Sequence, residues 1–493
     1  MLNKTLFTAQ QVRDNEALAA KNSHCDLFTL MQRAGEAVYK QWQLFDARHT
    51  LVIVGHGNNA GDGYVVARLI MQSGKKVTVC AAEPNKVLTG DAAKAQQLWV
   101  EAGGLVSHFT KDALNKCDIV IDALLGTGLK SAVRDNFANI IKAVNNSGKP
   151  VISIDIPSGI EANTGQPLGC AVQATSTVTF VGIKQGLTTT AGKQYSGKLV
   201  FDDLAIGDAF TCIAQSSGTL VNFNSFKGIA TRAINSHKGS HGKLLCVGGN
   251  QGTAGAIRLS SEAALRTGAG MVRVYTHESS ITPISIGRPE LMVSSNNLHQ
   301  ALEWASYVVI GPGLGQDEWA QQTFDEVMQY CQNNKMPLVI DADALNLLAK
   351  QASSYTLEQC VLTPHPGEAS RLLSVSTSEI ESDRFNYARL CAKRYTATCV
   401  LKGAGTLIDN AEQTWVCEDG NPALAVGGSG DVLTGIIGAL LAQGLTIDEA
   451  ARYGVTLHAK AGDIASERDG QRGMLPSDLF PIVRELVNKV TRV

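Results

Sequence analysis

The chain has 493 residues, enough for two or three domains at about 100–200 residues each. Hydrophobic residues make up 44% and charged residues 18%, which excludes a disordered chain. Lys and Arg (43) balance Asp and Glu (45) to a net charge of −2, leaving no basic excess for a nucleic-acid backbone or an anionic membrane.

The first residues lack a signal-peptide core, and no apolar run approaches the ~18 residues of a spanning helix. Eleven scattered cysteines form no zinc or disulfide framework, so a cytoplasmic protein with reduced thiols is expected. Helical spacing is predicted over residues 10–20 (Val12, Ala17, Leu18) and 27–45 (Leu27, Leu30, Met31, Ala34, Val38, Trp42). Strands and helices then alternate: strand 51–54, a Gly-rich turn, helix 64–72, strand 76–82, helix 92–101 and strands at 118–121, 151–154 and 177–181. Such alternation predicts a parallel sheet with helices on both faces. Residues 204–227 lose the pattern and are predicted as a linker. A second alternation starts at Lys243: strand 244–248, helix 255–267, strands 271–276, 307–310, 337–340 and 360–362, then a final helical region. The halves show no internal repeat. The expected architecture is therefore two different α/β domains, 1–222 and 223–493.

The first turn reads GHGNNAGDG at 55–63. Glycines there let backbone approach a ligand, and amides at a helix start favour anions. Gly55-x-Gly57-x-x-Ala60 matches a dinucleotide fingerprint, with Glu83 near the ribose-binding distance. Polar Asn58 and Asn59, and a negative Asp62, disfavour ordinary hydride transfer. Asp62 reads either as a helix cap or as a ligand contact. Asp122 ends one strand before a Gly-rich turn with Lys130, and Asp155-Ile156-Pro157-Ser158-Gly159 ends the next. Ligands bind outside the carboxyl ends of parallel strands, so Asn59, Asp122, Asp155 and Ser158 are expected to converge as hard oxygens suited to a cation.

The segments GHGNNAGDGYVVAR, DALLGTGLK and DIPSG together resemble the NAD(P)H-hydrate epimerase domain, over roughly residues 10–215. Ala60 stands where that family usually has glycine. The resemblance implies a Rossmann-like three-layer domain with a potassium site at Asn59, Asp122 and Ser158. It implies substrate contacts at Asn58, Asn59, Ala60, Gly61, Asp62, Gly126, Thr127, Gly128, Leu129, Lys130, Ser131, Ala132 and Asp155. The implied reaction inverts C6 of a hydrated nicotinamide ring through a cation stabilised by the ring nitrogen. That chemistry needs an acid/base carboxylate; Asp155 assisted by Lys130 is the expected one, with Asp62 as rival.

In the second half, Gly427-Gly428-Ser429-Gly430 supplies consecutive amides before Asp431 and an apolar helix, an anion hole suited to a transferring phosphoryl group. No Walker sequence is present. The constellation resembles ribokinase-like folds. Within them TPHPGE, KGAGT and NPALAVGGSGDVLTG are similar to the ADP-dependent NAD(P)H-hydrate dehydratase, over about 229–490. That resemblance implies nucleotide binding by Lys402, Gly403, Ala404, Gly405, Thr406 and Gly430. It implies hydrate binding by Ala256, Gly315, His365 and Asp431, with Asp431 as catalytic base. Mg2+ is expected with the nucleotide phosphates, K+ in the first domain and ADP as co-substrate. NADHX and NADPHX are the expected small-molecule substrates, and a homo-oligomer is expected. A small-molecule kinase of the same fold and a nucleotide-sensing first domain stay open as alternatives.

Overall fold

The computed structural model describes residues 4–351 and 355–489, in two compact units, Met1–Thr219 and Leu220–Val493. Among the described residues no helix is long and apolar enough to cross a membrane.

The first unit is built on a seven-stranded, all-parallel sheet. Its order is Val106–His108, Lys76–Ala81, His49–Val54, Ile119–Ala123, Val151–Ile154, Ser176–Phe180, Lys198–Asp202. Every residue of His49–Val54 is buried, and its alternate side chains enter two different cores. Val52 and Val54 pack with Ile119, Ile121 and Ile152; Leu51 and Ile53 pack with Val120 and Val151. A period of two with both faces apolar is the signature of a strand covered by helices on each side. The chain runs outward from His49–Val54 in one direction and then, from Ile119–Ala123, in the other. The switch point therefore lies between these two strands. The loops leaving them are held together: a methyl group on Gly55 would fall 1.9 Å from the Leu124 carbonyl oxygen.

Two predicted boundaries shift. The helix expected at 64–72 is Asn58–Gln72, so the Gly-rich turn closes at Gly57 and the polar cluster forms the helix's first turns. The stretch 204–227 is not a plain linker. It holds the helix Gly207–Ile213 and the strand Gly218–Val221. Phe210 from that helix is buried edge-on against Phe7, with ring centroids 5.0 Å apart, and Leu204 and Ile206 are buried in the same core, which ties down a segment whose composition reads as loop.

The second unit carries seven parallel strands in the order Met292–Ser294, Met271–Tyr275, Lys243–Val247, Tyr307–Ile310, Leu338–Ile340, Cys360–Leu362, Thr398–Leu401. Two antiparallel strands, Leu407–Asp409 and Thr414–Cys417, continue it. The helix Ser429–Ala442 is buried from Val432 onward and packs against the helix Ala254–Thr267. The contact is close because Gly435 faces backbone: a methyl group there would lie 1.9 Å from the Ser260 carbonyl oxygen. Gly435→Ala is expected to lower the stability of this unit by about 1–3 kcal/mol, since a packed interface must separate to admit the methyl group. A fall in the urea midpoint checks this; an unchanged midpoint would mean that the helices part freely.

Candidate active sites

In the first unit a cavity of about 720 Å³ opens where the strands end. Asn58, Asn59 and Asp62 line it from one face of their helix, at the i, i+3 and i, i+4 spacing that brings helical side chains together. Ala60 and Gly61, expected as substrate contacts, are buried away from the cavity. All seven residues from Gly126 to Ala132 line the cavity, with Lys130 exposed.

Asn59, Asp122 and Ser158 do converge. The buried Asp122 carboxylate accepts from Ser158 Oγ (2.5 Å), Ser153 Oγ (2.8 Å), the Ser158 amide (2.9 Å) and the Leu124 amide (3.3 Å). Ser158 Oγ accepts from the Leu125 amide at 2.8 Å, and Asn59 Nδ2 donates to the Leu125 carbonyl at 3.1 Å. Among the described residues, Asn59 Oδ1 is buried with no hydrogen-bond partner. An orphaned amide oxygen beside a carboxylate, a hydroxyl and a carbonyl is a donor set of hard oxygens bearing a single charge.

Asp155 ends the strand Val151–Ile154 with φ +64°, a left-handed conformation unfavourable for a side chain with Cβ. Its carboxylate forms an ion pair with the ammonium of Lys184 and accepts from Thr179 Oγ1 and the Phe180 amide, both at 3.2 Å. Lys184 is buried and also donates to the Phe180 carbonyl at 3.1 Å. The lysine that serves Asp155 is therefore Lys184, not Lys130. Sequence reasoning missed it, although a lysine directly after the apolar run Val181-Gly182-Ile183 was a signal. Asp62 does not cap its helix: Gly57 is the N-cap, and Asp62 sits in the second turn. Burial, with the charges of Asp155 and Glu16, pushes the Asp62 carboxyl well above its ordinary range. Glu16, from the helix Ala9–Asn22, lines the same cavity and is also raised, chiefly by burial. Glu83 pairs with His56 at 3.4 Å.

In the second unit Gly428 (φ +90°) is the N-cap of Ser429–Ala442, so Ser429, Gly430 and Asp431 are its first three residues. Their amides belong to the set that a helix leaves without intrahelical acceptors. Beside them lies a buried charge cluster. Asp341 accepts from Lys402 Nζ at 2.9 Å and from Thr434 Oγ1 at 2.7 Å. Glu368 stands 3.7 Å from the same ammonium. A methyl group on Gly430 would fall 3.2 Å from Lys402 Nζ, so the ammonium faces the helix start. Burial disfavours the Lys402 cation, but Asp341 and Glu368 outweigh it and raise its pKa. Burial, then the Asp341 charge, pushes the Asp431 carboxyl up to about 7. Glu368 is likewise pushed up to about 7 by burial.

His365 caps the helix Pro366–Leu373. Its Nδ1 accepts the Gly367 amide at 2.9 Å, while Glu368 Oε2 accepts the His365 amide at 2.7 Å. That leaves the exposed ring's Nε2 edge toward Glu368 Oε1, at 3.4 Å. Gly315 donates its amide to Asp343 Oδ2 at 2.9 Å. Ala256 lies on the helix Ala254–Thr267 next to Gly313, whose added methyl group would meet its Cβ at 3.1 Å. The turn through Lys402, Gly403, Ala404, Gly405 and Thr406 joins Thr398–Leu401 to Leu407–Asp409. It rests on the buried Arg384 guanidinium, which donates to the Leu401 and Lys402 carbonyls at 3.0 Å. The roles of Asp341, Thr434 and Arg384 had no sequence signal beyond a polar residue at a strand end or in a helix.

Residues 244–485 match the family described as NAD(P)H-hydrate dehydratase, and residues 27–186 match the YjeF-related protein N-terminus. The chain is 43% identical to the bifunctional NAD(P)H-hydrate repair enzyme Nnr of Escherichia coli, over 98% of this chain and 94% of the relative. It is 41% identical to the Coxiella burnetii protein of the same name, over 98% and 99%. A crystal structure of a ribokinase-like superfamily protein from Enterococcus faecalis superposes with a TM-score of 0.52 at 31% identity, covering 55% of this chain and 95% of that one.

Removing Lys184 would leave the Asp155 charge without its partner in a mostly enclosed site. Lys184→Met is expected to destabilise the first unit by about 3–5 kcal/mol, the usual cost of breaking a buried pair on one side. Chemical denaturation followed by Trp fluorescence measures it, and a loss below about 1 kcal/mol would mean that solvent already screens the pair.

Proposed function

The chain belongs to the family of bifunctional NAD(P)H-hydrate repair enzymes, and from that premise we propose which of its residues carry the two reactions. The enzyme interconverts the R and S forms of NAD(P)H hydrate at C6 and dehydrates the S form to NAD(P)H, with ADP converted to AMP and phosphate. The arrangement that carries the dehydratase assignment is Asp431 at the start of a buried helix, beside the Lys402–Asp341 pair.

In the second unit Asp431 takes the proton of the C6 hydroxyl. The freed oxygen attacks the terminal phosphorus of ADP, and the bond to the AMP oxygen breaks. Amides at the start of Ser429–Ala442 hold the phosphoryl oxygens as charge develops, and Lys402 faces the same point. Phosphate then leaves C6 with the push of the ring nitrogen, and loss of a C5 proton restores the reduced ring. Lys402, Gly403, Ala404, Gly405, Thr406 and Gly430 are the proposed nucleotide contacts; Ala256, Gly315 and His365 are proposed to hold the hydrate. Mg2+ would enter on the nucleotide phosphates.

In the first unit Asp155 is the proposed acid/base at C6, supported by its strained backbone and its place in the cavity. Asn59, Asp122 and Ser158 would hold K+, and the unsatisfied Asn59 Oδ1 fits that group. The ion would supply a fixed positive charge beside the bound substrate. The loop from Gly126 to Ala132 lines the cavity where the dinucleotide would lie.

The test is to mix both epimers of NADH hydrate with the protein and ADP and follow the absorbance of reduced nicotinamide. Complete, rapid, ADP-dependent recovery supports both assignments; a fast phase that stalls partway counts against the first unit's. A stable phosphorylated alcohol would point instead to a kinase. Asp431→Asn is expected to slow dehydration by about 10²–10⁴-fold and leave epimerisation intact. Because the Asp431 pKa is raised to about 7, the carboxyl is protonated below that value and cannot act as base. The dehydration rate should therefore climb as pH rises through about 7 and level off above it; a flat profile from pH 5.5 to 8.5 would remove Asp431 from the role. Asn59→Ala should abolish stimulation of epimerisation by K+, measured against Na+ at equal ionic strength.

A further inference from the structure

The cavity of the first unit holds more acid than a single acid/base needs. Glu16, Asp62 and Asp155 reach it from three elements: the helices Ala9–Asn22 and Asn58–Gln72 and the end of the strand Val151–Ile154. Arg13, Lys130 and Arg134 also line the cavity, but Lys184 is the cation that pairs with one of these three acids among the described residues. Asp155 uses that ammonium, together with a hydroxyl and an amide. Asp62 makes no hydrogen bond or ion pair among the described residues, yet it lines the cavity from the same helix face as Asn58 and Asn59. With the Lys184 ammonium committed to Asp155, carboxylates gathered away from water cannot all stay ionised, and the group without a hydrogen bond or ion pair is the one that keeps a proton. Burial and the charges of Asp155 and Glu16 act on Asp62 in that direction.

Inversion at C6 itself asks for two groups. Hydroxide must leave one face with a proton, and water must add to the other face and lose one. A single carboxyl reaches only one face of a bound ring. We propose that Asp62 is a second catalytic residue of the epimerase, the acid on one face of the ring, with Asp155 as the base on the other. This rests on the epimerase reading above. The C6–O bond breaks with its electron pair going to oxygen, which takes the Asp62 proton and departs as water. The ring-nitrogen lone pair forms the C6=N bond. A solvent water attacks C6 from the opposite face and gives its proton to Asp155. Asp62 ends as carboxylate and Asp155 as acid, so charge and protons balance. The other epimer reacts with the enzyme in that second state.

The experiment uses the full chain without ADP, separated epimers of NADH hydrate and water enriched in 18O, with rates in buffer subtracted. In Asp155→Asn, inversion should stop while one epimer still exchanges its C6 oxygen with retention, because Asp62 can release and recapture water on its own face. That surviving exchange also reports a folded site. Adding Asp62→Asn should remove it, and Asp62→Asn alone should slow inversion by about 10²-fold or more. Inversion within two-fold of the unmodified chain in Asp62→Asn overturns the proposal. So does equal loss of exchange from both epimers in Asp155→Asn. If the unmodified chain inverts neither epimer faster than buffer, the epimerase reading itself falls; if it inverts both but the variants behave otherwise than expected, only the role of Asp62 falls.

Discussion

Helices seal both faces of each parallel sheet, and the carboxyl edge is the one place left where polar side chains can meet a ligand. In strands such as His49–Val54, buried over their whole length, the polar residues His49 and Thr50 are taken up by structural hydrogen bonds rather than chemistry. The loops that leave those strands carry it instead, and they are close together because consecutive strand ends are neighbours. In the first unit the switch point brings Asn59, Asp122 and Ser158 into one hydrogen-bonded group through both the amide and the carbonyl of Leu125. In the second, the ends of Leu338–Ile340, Cys360–Leu362 and Thr398–Leu401 deliver Asp341, Glu368 and Lys402 to one point.

The two sites share an electrostatic plan although their folds differ. Each sets one lysine, Lys184 fully buried and Lys402 largely so, among three carboxyl groups. Lys184 is committed to Asp155, with Asp62 and Glu16 nearby; Lys402 is committed to Asp341, with Glu368 and Asp431 nearby. The committed pair fixes a charge in place, and the remaining acids, buried and short of cations, hold protons to higher pH. That is a way to keep a carboxyl group able to exchange a proton near neutrality, which proton transfer at a hydroxyl requires. It also costs stability, because each site concentrates like charges that water would otherwise separate.

Much of the fold was legible because the interior strands are short, apolar and β-branched, and because glycines mark the turns that follow them. What sequence patterning misjudged has local causes. The turn at 55–63 looked like a loop because Asn, Gly and Asp disfavour helix, yet Asn58 and Asn59 take helical positions where Gly57 opens the helix and their side chains are held at the cavity. Residues 204–227 looked like a linker because their composition is loop-like, yet Leu204, Ile206 and Phe210 are buried in the first unit's core. Lys130 drew attention because it stands in the Gly-rich loop that follows Asp122, whereas Lys184, 29 positions beyond Asp155, meets it through the strand Ile183–Lys184.

The sequence by itself determined the two α/β units, the strand ends at which polar residues gather, and the family. These depend on periodicity and on contiguous motifs, which are local along the chain. Only the tertiary structure decided which charges pair. It chose Lys184 over Lys130 for Asp155, joined Lys402 to Asp341 across 61 positions, and left Asp62 in the cavity without a hydrogen bond or ion pair among the described residues. Ion pairing depends on distances of a few ångströms between groups on different elements, and nothing local to either residue encodes that distance.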